Sequence, residues 1–394
     1  MEPGGDELLF TVDGRIDPGM LPALAAALEA SGAALLDVEQ VAVRERVLLG
    51  LVVRAPDGAA CARAIGEAAA RFGAAIERAP AAPSPGVPLR LVATVFGPGL
   101  DAGPLAAVAD RIAAHGGVVR RIVRLGRRPL AAWEMHVALR HGVEAEALRR
   151  ALLELAVERR FDVALQREGV FRRARRLVVF DMDSTLIRIE VIDELARAHG
   201  VADEVARITE RAMHGEMDYD ESLRRRVALL RGLDASVLHR IAENLPLTEG
   251  AETLIRALRR LGYKVAVISG GFSVAAAALR DRLGLDEAWS NELEVEDGRL
   301  TGRVVGPIVD AARKAELLEA FARREGILLD QTIAVGDGAN DLLMLQKAGL
   351  GVAFRAKPRL REAADLSIAA AGLDAILFLL GFDEEEIRVL ADEA

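Results

Sequence analysis

Two carboxylates, Asp181 and Asp183, follow directly on the apolar run Leu177-Val-Val-Phe180 and precede a hydroxyl pair, Ser184 and Thr185. Four apolar residues bounded by polar ones predict a buried strand of a parallel sheet. Ligands of such sheets lie beyond the carboxyl ends of the strands, so both acids stand where a substrate would lie. Alternate side chains of an extended segment point the same way, which lets the two acids face one cleft, one attacking and the other handling protons. If the substrate is a phosphate monoester, its negative charge resists a carboxylate nucleophile, and the chemistry needs a cation that neutralises both, Mg2+ with hard oxygen ligands. Asp-x-Asp by itself reads more simply as a strand running into a solvated acidic loop, so the rest of the chain must decide.

Three further segments bear on that decision. Val265-Ala-Val-Ile-Ser269-Gly-Gly-Phe272 is a second apolar strand ending in a hydroxyl and two glycines, which let backbone approach a phosphate closely. Lys314 lies in a helical stretch from Ala311 to Glu325, where it would otherwise pass for a surface lysine. Thr332-Ile-Ala-Val-Gly-Asp337-Gly-Ala-Asn340-Asp341 runs from a strand into a glycine-containing acidic loop that offers more metal ligands. In this order the four segments resemble the motifs of the haloacid dehalogenase superfamily, whose phosphatases pass through an aspartyl-phosphate. Within that superfamily, Glu190, the stretch Met213-His-Gly-Glu-Met-Asp-Tyr219-Asp-Glu-Ser222-Leu-Arg-Arg-Arg226 and Leu247-Thr-Glu-Gly250 resemble the phosphoserine phosphatase family over residues 176 to 381.

The resemblance implies hydrolysis of O-phospho-L-serine, the last step of serine biosynthesis. Asp181 would be the nucleophile, Asp183 the general acid and base, and Lys314 the cation balancing the phosphate. Mg2+ would be held by Asp181, Asp337 and the backbone carbonyl of Asp183. Ser269, the Gly270 amide and Asn340 would surround the phosphate, while Asp341 would support Lys314 or a metal-bound water. A free amino acid phosphate carries an ammonium and a carboxylate, for which Glu190 and Arg226 have the matching charges. Positions 222 and 226 share a helix face whereas Arg224 and Arg225 point elsewhere, so Arg226 is expected to look inward. Met213 and Tyr219 would form an apolar wall; the family commonly has phenylalanine at 219, and the added hydroxyl is expected to change little. Phosphothreonine and phosphohomoserine stay open as substrates, since one methyl or methylene alters binding by only about 1 to 3 kcal/mol.

The fragment Asn291-Glu-Leu-Glu-Val-Glu-Asp297-Gly298-Arg-Leu-Thr alternates around Asp-Gly and predicts a hairpin, either a flap at the site's mouth or a cover for a sheet edge. Gly351 to Phe354 and Leu366 to Ile368 are expected to be closing strands.

The amino-terminal half is a tandem repeat. Residues 8 to 78 and 89 to 166 each read strand, helix, strand, strand, helix, strand, with Thr11 aligning to Thr94 and Gly32 to Gly116 around a proline-rich linker, Ala79 to Pro88. This ferredoxin-like βαββαβ pattern resembles the ACT domain, which often binds amino acids at paired interfaces. The expected organisation is α/β: a Rossmann-like haloacid dehalogenase core with a helical cap, preceded by two ACT-type α+β domains. The expected bounds are 1–82, 83–170 and 171–394, with the cap at about 190–250. The loops Gly14 to Gly19 and Gly97 to Gly103 are candidate ligand sites, with serine the expected effector; a purely bracing or dimerising role for the repeats stands beside it. A homodimer is expected.

Composition narrows the classes further. A formal net charge of −9 opposes a nucleic-acid role, and the cluster Arg172, Arg173, Arg175, Arg176 reads instead as an interdomain ion-pair surface or a solvated linker. The single cysteine, Cys61, permits no intrachain disulfide and reads as a small buried residue. The acidic amino terminus and the lack of any bilayer-length apolar run predict a cytoplasmic protein without membrane contact.

Overall fold

A computed structural model of the chain describes residues 6–81, 89–127, 130–140, 142–357, 360–361, 364 and 366–391, with Met213 described by its backbone alone. The chain divides into two compact units, 1–87 and 88–394.

The first unit is a βαββαβ fold: β1 (Asp6–Arg15), α1 (Met20–Ala30), β2 (Ala34–Val43), β3 (Arg46–Ala55), α2 (Gly58–Ala70) and β4 (Ala75–Pro80). Its sheet is antiparallel in the order β2-β3-β1-β4. Along β1, Leu8, Phe10 and Val12 turn inward at every second residue onto the two helices, with Cys61 buried among them. Ala79 and Pro80 belong to β4, so the part of the expected linker from Ala79 to Pro80 is strand, and 82–88 lie outside the described residues.

The second unit begins with the repeat: β5 (Leu89–Pro98), α3 (Ala102–Ala114), β6 (Gly117–Gly126), β7 (Leu130–Leu139), α4 (Ala145–Arg159) and β8 (Asp162–Arg167), in the sheet order β8-β5-β7-β6. The repeat is visible in backbone detail. Gly32 and Gly116, the aligned glycines after the first helix of each copy, both take left-handed φ angles, 67° and 69°, which a side chain would strain.

After a short turn of helix, α5 (Val170–Arg173), the chain enters a parallel core built from β9 (Leu177–Phe180), β10 (Lys264–Phe272), β13 (Thr332–Gly336), β14 (Gly351–Phe354) and β15 (Leu366–Ile368). Strand β9 lies in the middle, paired with β10 on one side and β13 on the other, and all four of its residues are buried. Both faces are covered, which is why the sequence reads as unbroken apolar runs rather than an alternation. The pairing of β10 with its other neighbour, β11 (Glu287–Glu296), lapses between Ile268 and Phe272, where Ser269-Gly270-Gly271 turns away from the ladder. The carboxyl ends of β9, β10 and β13 therefore bring Asp181, Ser269 and Asp337 to one edge of the sheet.

The cap consists of α6 (Val191–His199), α7 (Ala202–Met213), α8 (Tyr219–Ala228) and α9 (Ser236–Glu243), inserted between β9 and α10 (Ala251–Arg260). Its two connections to the core run side by side: Arg188 N–H donates to the Pro246 carbonyl and Thr248 N–H to the Leu186 carbonyl, with Ile187 bridged to Leu247. The expected hairpin is β11 with β12 (Arg299–Val305), turning through Asp297 and Gly298 at φ 49° and 74°. It forms the edge of the sheet, as one of the two expected roles requires, and its tip bonds to the cap, Ala235 N–H to the Gly298 carbonyl and Gly232 N–H to the Leu300 carbonyl.

The second repeat is joined to the catalytic core. Strand β15 pairs antiparallel with β8, so the two sheets run on as one of eleven strands. The Asp162 carboxylate accepts the Ala369 and Ala370 amides just past β15 at 2.8 and 2.9 Å. Arg172 makes a buried ion pair with Glu134 of β7, as the expected interdomain role of the arginine cluster requires. A cavity of about 770 Å³ lies along this seam, lined by Arg167, Arg172, Arg175 and Asp330 among others, at the end of β9 and β13 opposite to the acids. Among the described residues, no helix is long and apolar enough to cross a membrane.

Candidate active site

The backbone after β9 stays extended through Asp181 and Asp183, then reverses at Ser184 with φ 58°. That left-handed serine is uncommon for a residue with a side chain, and such strain concentrates at functional sites. It is held by its own hydroxyl, which donates to Glu190 Oε1 at 2.9 Å. The reversal leaves Asp181 and Asp183 buried at 5% and 9% exposure in one cleft.

Helix α12 (Ala311–Arg324) supplies the cation. Asp310 caps it by accepting the Arg313 amide at 2.7 Å, and its buried stripe, Lys314, Ala315, Leu317, Leu318, Phe321 and Ala322, faces the sheet at helical spacing. Lys314 is therefore a member of the core face rather than the solvent face. Its Nζ, fully buried, lies 2.8 Å from Asp181 Oδ1 and 2.6 Å from Asp341 Oδ1. Burial opposes its charge, yet the two carboxylates overcome that and hold its pKa above the ordinary lysine value.

Three carboxylates gather at one point. Oxygens of Asp181, Asp337 and Asp341 all lie within 4.8 Å of one another, and all three residues are buried. Desolvation, then the Asp341 charge, raise the Asp181 pKa well above the ordinary value; the same two causes push Asp337 up to about 7. One lysine among three crowded carboxylates leaves an excess of buried negative charge, which fits a divalent cation with oxygen ligands. Asp183 points elsewhere: Oδ1 accepts the Val191 amide at 2.9 Å and Oδ2 the Ser269 hydroxyl at 3.4 Å. Burial first, and the Glu190 charge second, raise its pKa to about 7.

The Ser269 to Gly271 turn and the cap meet beside these groups. Gly271 N–H donates to Ser269 Oγ at 2.8 Å, and the Gly270 carbonyl accepts Asn291 Nδ2 at 2.8 Å and the Tyr219 hydroxyl at 3.2 Å. A Cβ at Gly270 would collide with that hydroxyl, and one at Gly271 with Asp183, so both glycines are required by close approach. Arg226 is half-buried on α8 with Nε donating to the Ser222 carbonyl at 3.4 Å, while Arg225 is drawn outward to Glu221 at 2.5 Å. Glu190 accepts the Ser184 hydroxyl close to Asp183, and its charge contributes to raising the Asp183 pKa. Asn340 sits in the turn after Gly338, partly exposed. The Met213 side chain lies outside the described residues.

Some members of the site were under-read in the sequence. Asp341 belongs with Asp181 and Asp337 as much as with Lys314, and its spacing of four from Asp337 was a usable signal. Asn291, almost fully buried, anchors the phosphate turn and accepts the Val309 amide at 2.8 Å, although the hairpin pattern gave it no distinguishing mark. Thr185 reaches Asp337 Oδ1 at 3.4 Å.

The haloacid dehalogenase-like hydrolase family matches residues 175–349, and ACT domain families match 6–77 and 91–166. The phosphoserine phosphatase of Streptomyces coelicolor is 46% identical over 395 residues, spanning 98% of this chain and 95% of the relative. The chain belongs to the phosphoserine phosphatase family. Among solved structures, a haloacid dehalogenase family hydrolase from Salmonella enterica serovar Typhi superposes with a TM-score of 0.65 at 31% identity, covering 73% of this chain and 98% of that one. A phosphoserine phosphatase solved as a phospho-aspartyl intermediate analogue gives a TM-score of 0.50 at 48% identity, covering 52% and 98%. The phosphoserine phosphatase family assignment thus extends over both ACT domains as well as the hydrolase core.

Proposed function

We propose that the chain hydrolyses O-phospho-L-serine to L-serine and inorganic phosphate through a phosphorylated Asp181. The observation that carries this reading is the buried Asp181–Lys314–Asp341 array at 2.8 and 2.6 Å, with Glu190 bonded to Ser184 of the same loop. An Asp181 oxygen attacks phosphorus in line as the bond to the serine oxygen breaks, and Asp183 delivers its proton to that oxygen. A water then attacks the aspartyl-phosphate, Asp183 takes up its proton, and phosphate leaves with Asp181 restored. A pKa near 7 suits Asp183 to both halves, since it must be an acid in one and a base in the other. Lys314, the Ser269 hydroxyl and the Gly270 amide supply fixed positive groups for the equatorial oxygens, with Asn340 orienting them. Arg226 takes the substrate carboxylate, Glu190 its ammonium, and Met213 and Tyr219 exclude water.

Asp181, Asp337 and the Asp183 carbonyl are the proposed Mg2+ ligands, with Asp341 beside them. Bound Mg2+ supplies charge neutralisation between nucleophile and phosphate. We further propose units at 1–82, 83–170 and 171–394, in a dimer whose ACT domains bind an amino acid that regulates turnover. The test is phosphate release over a panel of small phosphorylated amino acids and aryl phosphates, with and without Mg2+. Preference for phosphoserine over phosphothreonine and aryl phosphates, dependent on the metal, is expected; equal rates across the panel would remove the amino-acid reading of Glu190 and Arg226.

A further inference from the structure

We propose that the Tyr219 hydroxyl is a latch between cap and core, a positioning residue that holds the cap shut by bonding to the backbone of the phosphate-binding turn. This rests on the reading of Ser269 to Gly271 as the phosphate turn.

The Gly270 carbonyl has two lone pairs and both are taken: Asn291 Nδ2 donates at 2.8 Å and Tyr219 Oη at 3.2 Å. The two donors differ in kind. Asn291 is a fixed part of the core, almost fully buried and tied through Oδ1 to the Val309 amide at 2.8 Å. Tyr219 opens helix α8 of the cap, where Asp218 caps the helix by accepting the Glu221 amide at 2.7 Å. One carbonyl is therefore shared between an immobile donor and a donor that leaves whenever the cap swings away about its paired connections at 187–188 and 246–248.

The bond also reaches the reacting groups. The Gly270–Gly271 peptide presents its carbonyl to Tyr219 and its N–H to Ser269 Oγ at 2.8 Å, and the Ser269 hydroxyl donates to Asp183 Oδ2 at 3.4 Å. The donors follow one direction, from Tyr219 of the cap through the turn to Asp183, so each bond polarises the next in the same sense. Fixing that peptide at both ends fixes the turn whose Gly270 amide faces the phosphate. A phenylalanine would keep the ring against the core and the apolar wall while giving up the tether, so the hydroxyl separates latching from packing.

The test is Tyr219→Phe in the full chain. A net hydrogen bond of about 1 kcal/mol corresponds to about fivefold in the closed-to-open ratio. Deuterium exchange of the Gly270 to Phe272 amides, in the turn that the Tyr219 hydroxyl tethers, is expected to quicken about fivefold without substrate, while amides of α12 keep their rates. The KM for phosphoserine is expected to rise by a similar factor, because opening of the cap competes with substrate binding. Unchanged exchange at the turn would overturn the latch, and so would equal quickening in α12, which marks general loosening. If the wild-type chain releases no phosphate from phosphoserine the substrate reading falls, while the exchange comparison still decides the latch.

Discussion

Replacing Lys314 by Met removes a charge while leaving most of the stem's volume in the core. The lysine is fully buried and lies 2.8 and 2.6 Å from Asp181 and Asp341, with Asp337 completing the acidic cluster. Each such charge-assisted bond contributes about 1.5 to 3 kcal/mol, and loss of a preorganised charge facing the transition state typically costs about 10² to 10³ in kcat. The variant is expected at the severe end, about 10³, because on the proposed mechanism it loses the cation facing the phosphate and the neutraliser of the nucleophile together. Stability should respond in a pH-dependent way. In the wild type the raised lysine pKa contributes stability that is fully present below its unfolded value and persists through the neutral range. Asp181 and Asp337 have raised pKa values, so the fold holds protons there that the unfolded chain releases; the Asp337 contribution declines as pH rises from about 4 through about 7, and that of Asp181 declines in the same direction. Without the lysine that decline steepens. Chemical denaturation of the full-length proteins, metal-free, at about pH 5.5 and about pH 8 should show the gap between wild type and variant widening at the higher pH. A kcat within about tenfold of wild type, or an equal stability gap at both pH values, would refute the central placement of Lys314.

Arg226→Ala should lower kcat/KM for phosphoserine by about 10² or more, as expected for losing a guanidinium on a carboxylate, and change that for an aryl phosphate by less than about threefold; equal losses would remove it from carboxylate recognition. Because Asp337 holds its proton up to about pH 7, Mg2+ binding should release protons and its stabilising shift in Tm should grow from about pH 6 to about pH 8, as differential scanning fluorimetry would read. A shift independent of pH would contradict binding at the acids. Glu134→Ala strands the buried Arg172 guanidinium and should destabilise the seam by about 3 to 5 kcal/mol, with Glu134→Gln costing less, by denaturant unfolding of the full chain. Equal stability of both variants and wild type would show that the ion pair does not hold the seam.

The parts of the fold that follow from local pattern were legible in the residues. The unbroken apolar runs of β9, β10 and β13 announced a two-sided parallel sheet, Asp297-Gly298 announced its turn, and the 83-residue offset of Thr11 and Thr94 announced the duplication seen in the two βαββαβ sheets. What local pattern cannot hold is contact between distant segments. The union of β8 with β15 rests on two residue pairs from segments about two hundred positions apart, Leu366 with Ala164 and Ser367 with Val163, and neither strand carries a mark of its neighbour. The Tyr219 hydroxyl was expected to change little, because the sequence gives no sign that the Gly270 carbonyl has a lone pair waiting for it. Asn291 escaped notice for a similar reason: its position in an alternating hairpin is ordinary, and only the folding of β10 against β11 brings it to the phosphate turn.

Trapping the full-length protein with Mg2+ and a beryllium fluoride phosphate mimic, followed by structure determination, addresses the nucleophile directly. The beryllium centre is expected on a carboxylate oxygen of Asp181, within reach of Lys314 and the Ser269 to Gly271 turn. A beryllium centre on Asp183, Asp337, Asp341 or any other side chain would contradict the assignment of Asp181 as the residue that receives the phosphoryl group.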